Sequence, residues 1–96
     1  QVTRLTTWEQ VQEHMMVSLR MTKEGVSSEE IQDRYGVELA AIFAEQIRRL
    51  LKQGMVEYHD RGKSLRLTRK GRLFGNRVFM EFIGNELPRG YENLKN

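Results

Sequence analysis

Seven basic side chains, Arg61, Lys63, Arg66, Arg69, Lys70, Arg72 and Arg77, fall in a stretch that holds no acid. Guanidinium forks match carboxylates and phosphates bidentately, so these residue types point to an anion site. The six from Arg61 to Arg72 form a candidate anion-binding patch, for nucleic-acid backbone or a polycarboxylate ligand. Hairpin and helix geometry spreads them over more than one face, and an ordinary solvated surface is the competing reading. The two histidines offer less. His14 lies beside Met15 and Met16, His59 flanks a turn, and no ligand spacing connects either to a second ligand. His14 is expected to be a partly exposed helix residue and His59 a surface residue, not ligands to a metal or a haem iron.

Other chemistry is excluded by what is missing. With no cysteine, the chain holds no disulfide, thiolate zinc site, iron–sulfur cluster of its own or cysteine nucleophile. There is no Gly-rich phosphate loop, no nucleophile elbow and no paired carboxylates in a plausible cleft. Nothing in these residues makes the segment an enzyme by itself.

The elements that position these residues can be read from periodicity and caps. Thr7 with Gln10, or Thr6 with Glu9, forms a capping box, and the helix that follows places Trp8, Val11, Met15 and Leu19 on one face. Met16 widens that stripe; with Val17 it would suit packing on a larger domain, although gap-filling in the core is the ordinary use of methionine. Ser27 and Glu30 begin a short helix with Ile31 and Tyr35 inward, which Gly36 ends. Leu39, Ile42, Phe43, Ile47, Leu50 and Leu51 predict one continuous third helix, closed by Gly54. Val56 and Tyr58, then Leu65 and Leu67, alternate with polar residues around Asp-Arg-Gly-Lys and read as a β-hairpin. Thr68 caps a last helix with Leu73, Phe74, Val78, Phe79 and Phe82 inward. Gly71 and Gly75 weaken it by roughly 1 kcal/mol each relative to alanine, or permit close packing.

Helix, hairpin and helix in that order is a winged-helix signature, and DNA binding is the first reading it invites. The third helix speaks against it. It opens Val-Glu-Leu-Ala-Ala, offering carboxylates and methyl groups where base readout needs donors. Arg48, Arg49 and Lys52 sit in its last turns, where they complement the helix dipole.

The fold class expected is mainly α (α+β): a winged-helix-like domain of four helices with a small β-hairpin wing. Its 96 residues, 39% hydrophobic and 30% charged, suffice for one modest core. Residues 1–6 read as a linker remnant, 7–84 as the domain and 85–96 as a flexible tail. The chain opens on glutamine, as a piece of a longer protein would, and no apolar run approaches membrane-spanning length.

The run from Glu13 to Ser27, with Met-Met-x-x-Leu-Arg followed by Gly-Val-Ser, resembles the C-terminal domain of the oxygen-independent coproporphyrinogen III oxidase family. These are radical S-adenosylmethionine proteins, and related haem chaperones belong among them. The likeness continues through Arg34-Tyr35-Gly36 and Leu50–Val56. It closes with Leu67–Val78, whose Leu-Thr-x-Lys-Gly core is shared with many winged-helix regulators and discriminates less. The resemblance implies a cytoplasmic parent whose barrel binds a 4Fe-4S cluster, through Cys-x-x-x-Cys-x-x-Cys, and S-adenosylmethionine. None of those cysteines is in this chain, so no cofactor residue carries over. It further implies that this domain partners the barrel and covers a cleft for a tetrapyrrole substrate or haem. Met16 and Arg20 are the residues expected to face it, Met16 by apolar contact and Arg20 either by pairing with a barrel carboxylate or by a charge-assisted hydrogen bond to the ligand. A dipole-capping role for Arg20 is the alternative. A DNA-binding regulator and a protein-interaction winged helix remain the rival functions.

Overall fold

Thr6 begins the first helix. Its Oγ1 accepts from the Glu9 N–H at 3.1 Å while Glu9 Oε1 accepts from the Thr6 N–H at 2.8 Å, so the earlier of the two capping registers is the one used. The computed structural model describes residues 5–83 and 86–96. Residues 1–4 of the expected linker, and Gly84 at the expected domain boundary, lie outside the described residues. Helix α1 (Thr7–Met21) buries the expected Trp8, Val11, Met15 and Leu19, together with Gln12, whose Nε2 donates to the Phe82 carbonyl at 2.8 Å.

A strand the periodicity did not announce follows. β1 (Val26–Ser27) pairs with the second hairpin strand, Val26 opposite Leu65 and Ser27 opposite Ser64. Gly25 makes this possible: it holds φ 81°, and a Cβ there would run into the Leu65 carbonyl. Ser27 then caps α2 (Ser28–Tyr35), its Oγ accepting from the Glu30 N–H at 3.2 Å. The hairpin strands β2 (Val56–His59) and β3 (Ser64–Leu67) complete an antiparallel sheet of order β1-β3-β2. Asp60, Arg61 and Gly62 at its tip all carry positive φ, and the Lys63 N–H donates to the Asp60 carbonyl at 3.1 Å to close the turn. Tyr58, which the alternation groups with Val56, is 41% exposed although it stands opposite the fully buried Leu65.

Two expected helices are each broken once. The third divides at Phe43 (φ −115°, ψ 30°) into α3 (Leu39–Ile42) and α4 (Ala44–Lys52). The cause is the Phe43 ring, which stacks on Trp8 at 5.3 Å between centroids and meets the Phe82 edge at 5.1 Å. Leu51 falls outside the buried stripe as a result. The last helix divides at Phe74 (φ −116°, ψ 37°) into α5 (Arg69–Leu73) and α6 (Gly75–Ile83). Of its five expected inward residues only Val78 and Phe82 are buried; Phe79 is partly so, and Leu73 and Phe74 are exposed. The α+β class and winged-helix order stand, with six helices among the described residues in place of four.

Beyond Glu86, the side chains of Leu87, Tyr91 and Leu94 rest on the core. Glu92–Lys95 forms a 3-10 turn, Leu94 is buried, and the Thr7 N–H and Oγ1 both donate to the Asn96 oxygen at 2.8 Å. No described helix is long and apolar enough to cross a membrane.

The two glycines of the last helices differ in what surrounds them. A Cβ on Gly71 would collide with the Met55 carbonyl, whereas one on Gly75 would meet the Phe79 ring at 3.4 Å. Gly71→Ala is therefore expected to destabilise by roughly 1–3 kcal/mol through overpacking. Gly75→Ala should be neutral or stabilise by up to about 1 kcal/mol through helix propensity. Urea denaturation of the two variants checks both signs.

The Glu92 carboxyl is held below its ordinary value of 4.5, chiefly by hydrogen bonds from its own backbone amide and that of Gly90, with Lys95 adding to the effect and burial opposing it. Since the folded value is the lower one, the linked stability is whole above the ordinary value and lost as pH falls through the depressed one. In acid unfolding the stability difference between the native chain and Glu92→Gln should be full above the ordinary carboxylate value and vanish as pH falls through that window. Identical profiles would remove Glu92 from the account.

Candidate functional site

Arg20 projects from the last turn of α1, and the packing of α1 on α6 brings its guanidinium carbon to 5.9 Å from the Phe79 ring centroid. The break at Phe74 turns α5 so that Arg72 approaches the same place, and Arg77 joins from the first turns of α6. A groove of about 630 Å³ results, with Arg20, Arg72 and Arg77 around Leu73, Phe74 and Phe79. A smaller neighbouring groove shares Arg20, Leu67 and Arg72 and adds Met21. No carboxylate lines either one.

The structure distributes the sequence-derived candidates unevenly. Met16, half-buried, lies one turn before Arg20 on the same flank of α1. Of the proposed anion patch, Arg72 alone lines the groove with Arg20. Arg66 is opposite Glu57 across the sheet, and its Nε donates to Glu57 Oε2 at 2.8 Å. Lys70 Nζ donates to the Gln53 carbonyl at 3.0 Å, capping the end of α4. Arg61 and Lys63 occupy the hairpin tip, and Arg69 opens α5. Phe74 and Phe79, which sequence reading placed in the core, are groove residues. Arg77 belonged to the basic run, but its meeting with Arg20 depends on the helix break, which no local signal announces.

His14 is part-buried on α1, and its ring is tied to a second helix. Its side chain is 9% exposed and bridges α1 to α2: Nδ1 lies 3.1 Å from the Tyr35 hydroxyl and Nε2 lies 3.2 Å from Glu30 Oε1. Tyr35 also meets the imidazole edge-on at 5.6 Å. Both ring nitrogens are engaged within the protein, and no cluster among the described residues has the make-up of a metal site.

The third-helix surface is as the sequence implied. Glu38, Ala40, Ala41, Ala44 and Glu45 are exposed, and Arg48 is paired with Glu45 at 2.7 Å. Hydrogen bonding to Arg48 holds the Glu45 carboxyl below its ordinary range. Arg49 reaches Glu81 of α6 at 2.9 Å, which raises the arginine's already high pKa.

Residues 5–74 match the HemN C-terminal domain. The chain belongs to that family. It is 36% identical over 80 residues to a protein of Bacillus subtilis (strain 168) named heme chaperone HemW, covering 83% of this chain and 20% of that protein. It is 32% identical over 78 residues to the heme chaperone HemW of Lactococcus lactis subsp. lactis (strain IL1403), covering 81% and 20%. The chain thus spans about a fifth of the length of the curated relatives it matches. No solved structure matches it significantly. The HemN-family match ends at Phe74, the helix break, so Arg20, Leu67, Arg72 and Leu73 lie within it and Arg77 and Phe79 beyond it.

The His14 bridge has a measurable weight. Tyr35→Phe removes one partly buried hydrogen bond and is expected to cost about 1 kcal/mol. Leaving His14 in place while removing Glu30 (Glu30→Gln) should cost less, because that carboxylate is half exposed. Equal losses in denaturant melts would overturn this ordering.

Proposed function

We propose that this chain is the non-catalytic C-terminal cover of a HemN-like radical S-adenosylmethionine protein, seated over the cleft that holds its tetrapyrrole. The observation that carries the reading is the surface around Arg20. Leu73 is 78% exposed, Met21 73% and Phe74 47%, and all three border the two linked grooves. A basic, apolar-bordered concavity of this kind suits an interface or a ligand better than open water. The flank bearing Met16 and Arg20 turns toward the cleft in this reading, Met16 supplying apolar contact and Arg20 a charge-assisted hydrogen bond.

The chemistry itself belongs elsewhere. A chain without cysteine cannot ligate the 4Fe-4S cluster, so cluster and S-adenosylmethionine are held by the remainder of the parent protein. Both relatives are named heme chaperones, which favours haem as the tetrapyrrole and its delivery, in the cytoplasm, as the parent's task.

Removing this segment from the parent protein tests the assignment. The truncated protein is expected to keep its cluster absorbance and its cleavage of S-adenosylmethionine while haem affinity, followed by Soret titration, falls by about tenfold or more. Unchanged haem affinity with an intact cluster would sink the cover reading.

A further inference from the structure

We infer that the groove between α1 and the α5–α6 corner is a carboxylate-binding subsite, built for a ligand with a flat apolar body and at least two carboxylate arms. Arg72 and Arg77 take the carboxylates, Arg20 lies between the charged and apolar parts, and Leu73, Phe74 and Phe79 meet the body. This rests on the cover reading only in taking the ligand to be the parent's tetrapyrrole; the preference for an amphipathic polycarboxylate stands on the groove's own residues.

The first argument is how the arginines are used. Arg48, Arg49 and Arg66 are each tied to a glutamate at 2.7–2.9 Å. Arg20, Arg34, Arg61, Arg69, Arg72, Arg77 and Arg89 have no acid partner among the described residues, and of these Arg20, Arg72 and Arg77 converge on one concavity. Three guanidiniums beside one another repel, and a fold that spends its acids elsewhere leaves that repulsion for an anion to relieve.

The second argument is the state of Arg20. Its guanidinium carbon lies 5.9 Å from the Phe79 ring centroid, a cation–π contact that leaves its N–H donors unspent. A pre-placed fork loses less entropy on binding than a free one.

The third is the groove's other half. Leu73 and Phe74 stand exposed at its mouth, with no carboxylate in the lining. An acidic peptide would satisfy the arginines but leaves these two residues without a matching flat apolar surface. Inorganic phosphate would use neither. The groove at the α1–α2 face offers a contrast: there the carboxylates Glu13 and Glu30 stand beside Arg34, and no net demand for an anion arises.

The test uses the full parent protein and two probes, mesoporphyrin IX and its dimethyl ester, titrated by fluorescence. The Arg72→Gln/Arg77→Gln double variant is expected to weaken the diacid by about tenfold or more while leaving the neutral ester unchanged. The Arg34→Gln/Arg89→Gln variant removes the same charge from exposed positions outside the groove and should leave both affinities as they were. A thermal melt within error of the native protein shows that the fold is kept; a Leu73→Gln/Phe74→Gln variant, lowering affinity for both probes, keeps the proposal open to refutation if the double arginine variant is unstable. Diacid binding that survives loss of Arg72 and Arg77, or that falls equally in the control variant, overturns the subsite. If deleting the whole segment abolishes haem binding but these substitutions do not, the cover stands and the subsite falls. If deletion of the segment leaves haem and diacid affinity unchanged, the cover and the subsite fall together, since the groove's residues all belong to the deleted segment.

Discussion

The structure hangs on the burial of the Phe43 ring. Placed between Trp8 of α1 and Phe82 of α6, it couples elements distant in sequence through a stacked and an edge-on contact. The helix that carries it gives up regular geometry at that residue, yet the Phe43 N–H still donates to Leu39 and its carbonyl still accepts from Ile47. The break therefore costs little hydrogen bonding while the ring gains complete burial. With Phe82 fixed against the middle of α1, and Gln12 bonded to its carbonyl, the start of α6 lies beside the end of α1. That alignment is what sets Phe79 under Arg20.

Sequence periodicity was informative wherever a helix ran straight. The α1 stripe, the Ser27 cap, the Gly36 stop and the hairpin register all follow from local rules of caps, turns and alternation, and the residues obey them. It failed where tertiary demand overrode the local pattern. A helical repeat through Leu39–Leu51, or through Leu73–Phe82, is equally consistent with a straight helix and with one broken at a phenylalanine. The two-residue strand β1 is beyond reach for another reason: its pairing is satisfied by β3, some forty residues away, and Val-Ser alone carries no alternation to read. The His14 bridge could not be read because its partners, Glu30 and Tyr35, come from α2 and are joined to it only by packing.

The same distinction separates the basic run from the groove. Proximity in sequence assembled Arg61 through Arg72 into one candidate patch, but a hairpin and a short helix point successive residues in different directions. Cross-strand geometry pairs Arg66 with Glu57, and Lys70 is drawn to the carbonyl end of α4. Arg72 is left to meet Arg20, fifty-odd residues earlier in the chain. What a linear count of charges can indicate is an excess of cations; which of them lack an acid is decided by the fold.

The two helix breaks share a backbone geometry and have opposite outcomes, and the difference locates the function. At Phe43 the ring enters the core; at Phe74, with nearly the same φ and ψ, it stays at the surface. Burial of its own ring thus cannot be the cause of the second break. Two separate anchors account for it. Gly71 presses on the Met55 carbonyl while Thr68 and Lys70 bond to the Gly54 and Gln53 carbonyls, fixing α5 to the base of the hairpin. Val78 and Phe82 fix α6 to α1 through the core. A straight helix running from Arg69 to Ile83 would have to satisfy both anchors along one axis, and the chain bends at the residue between them. The bend leaves Leu73 and Phe74 in water beside Arg72, an arrangement that core packing alone gives no reason to keep, and one that a ligand with apolar and anionic parts would use in full.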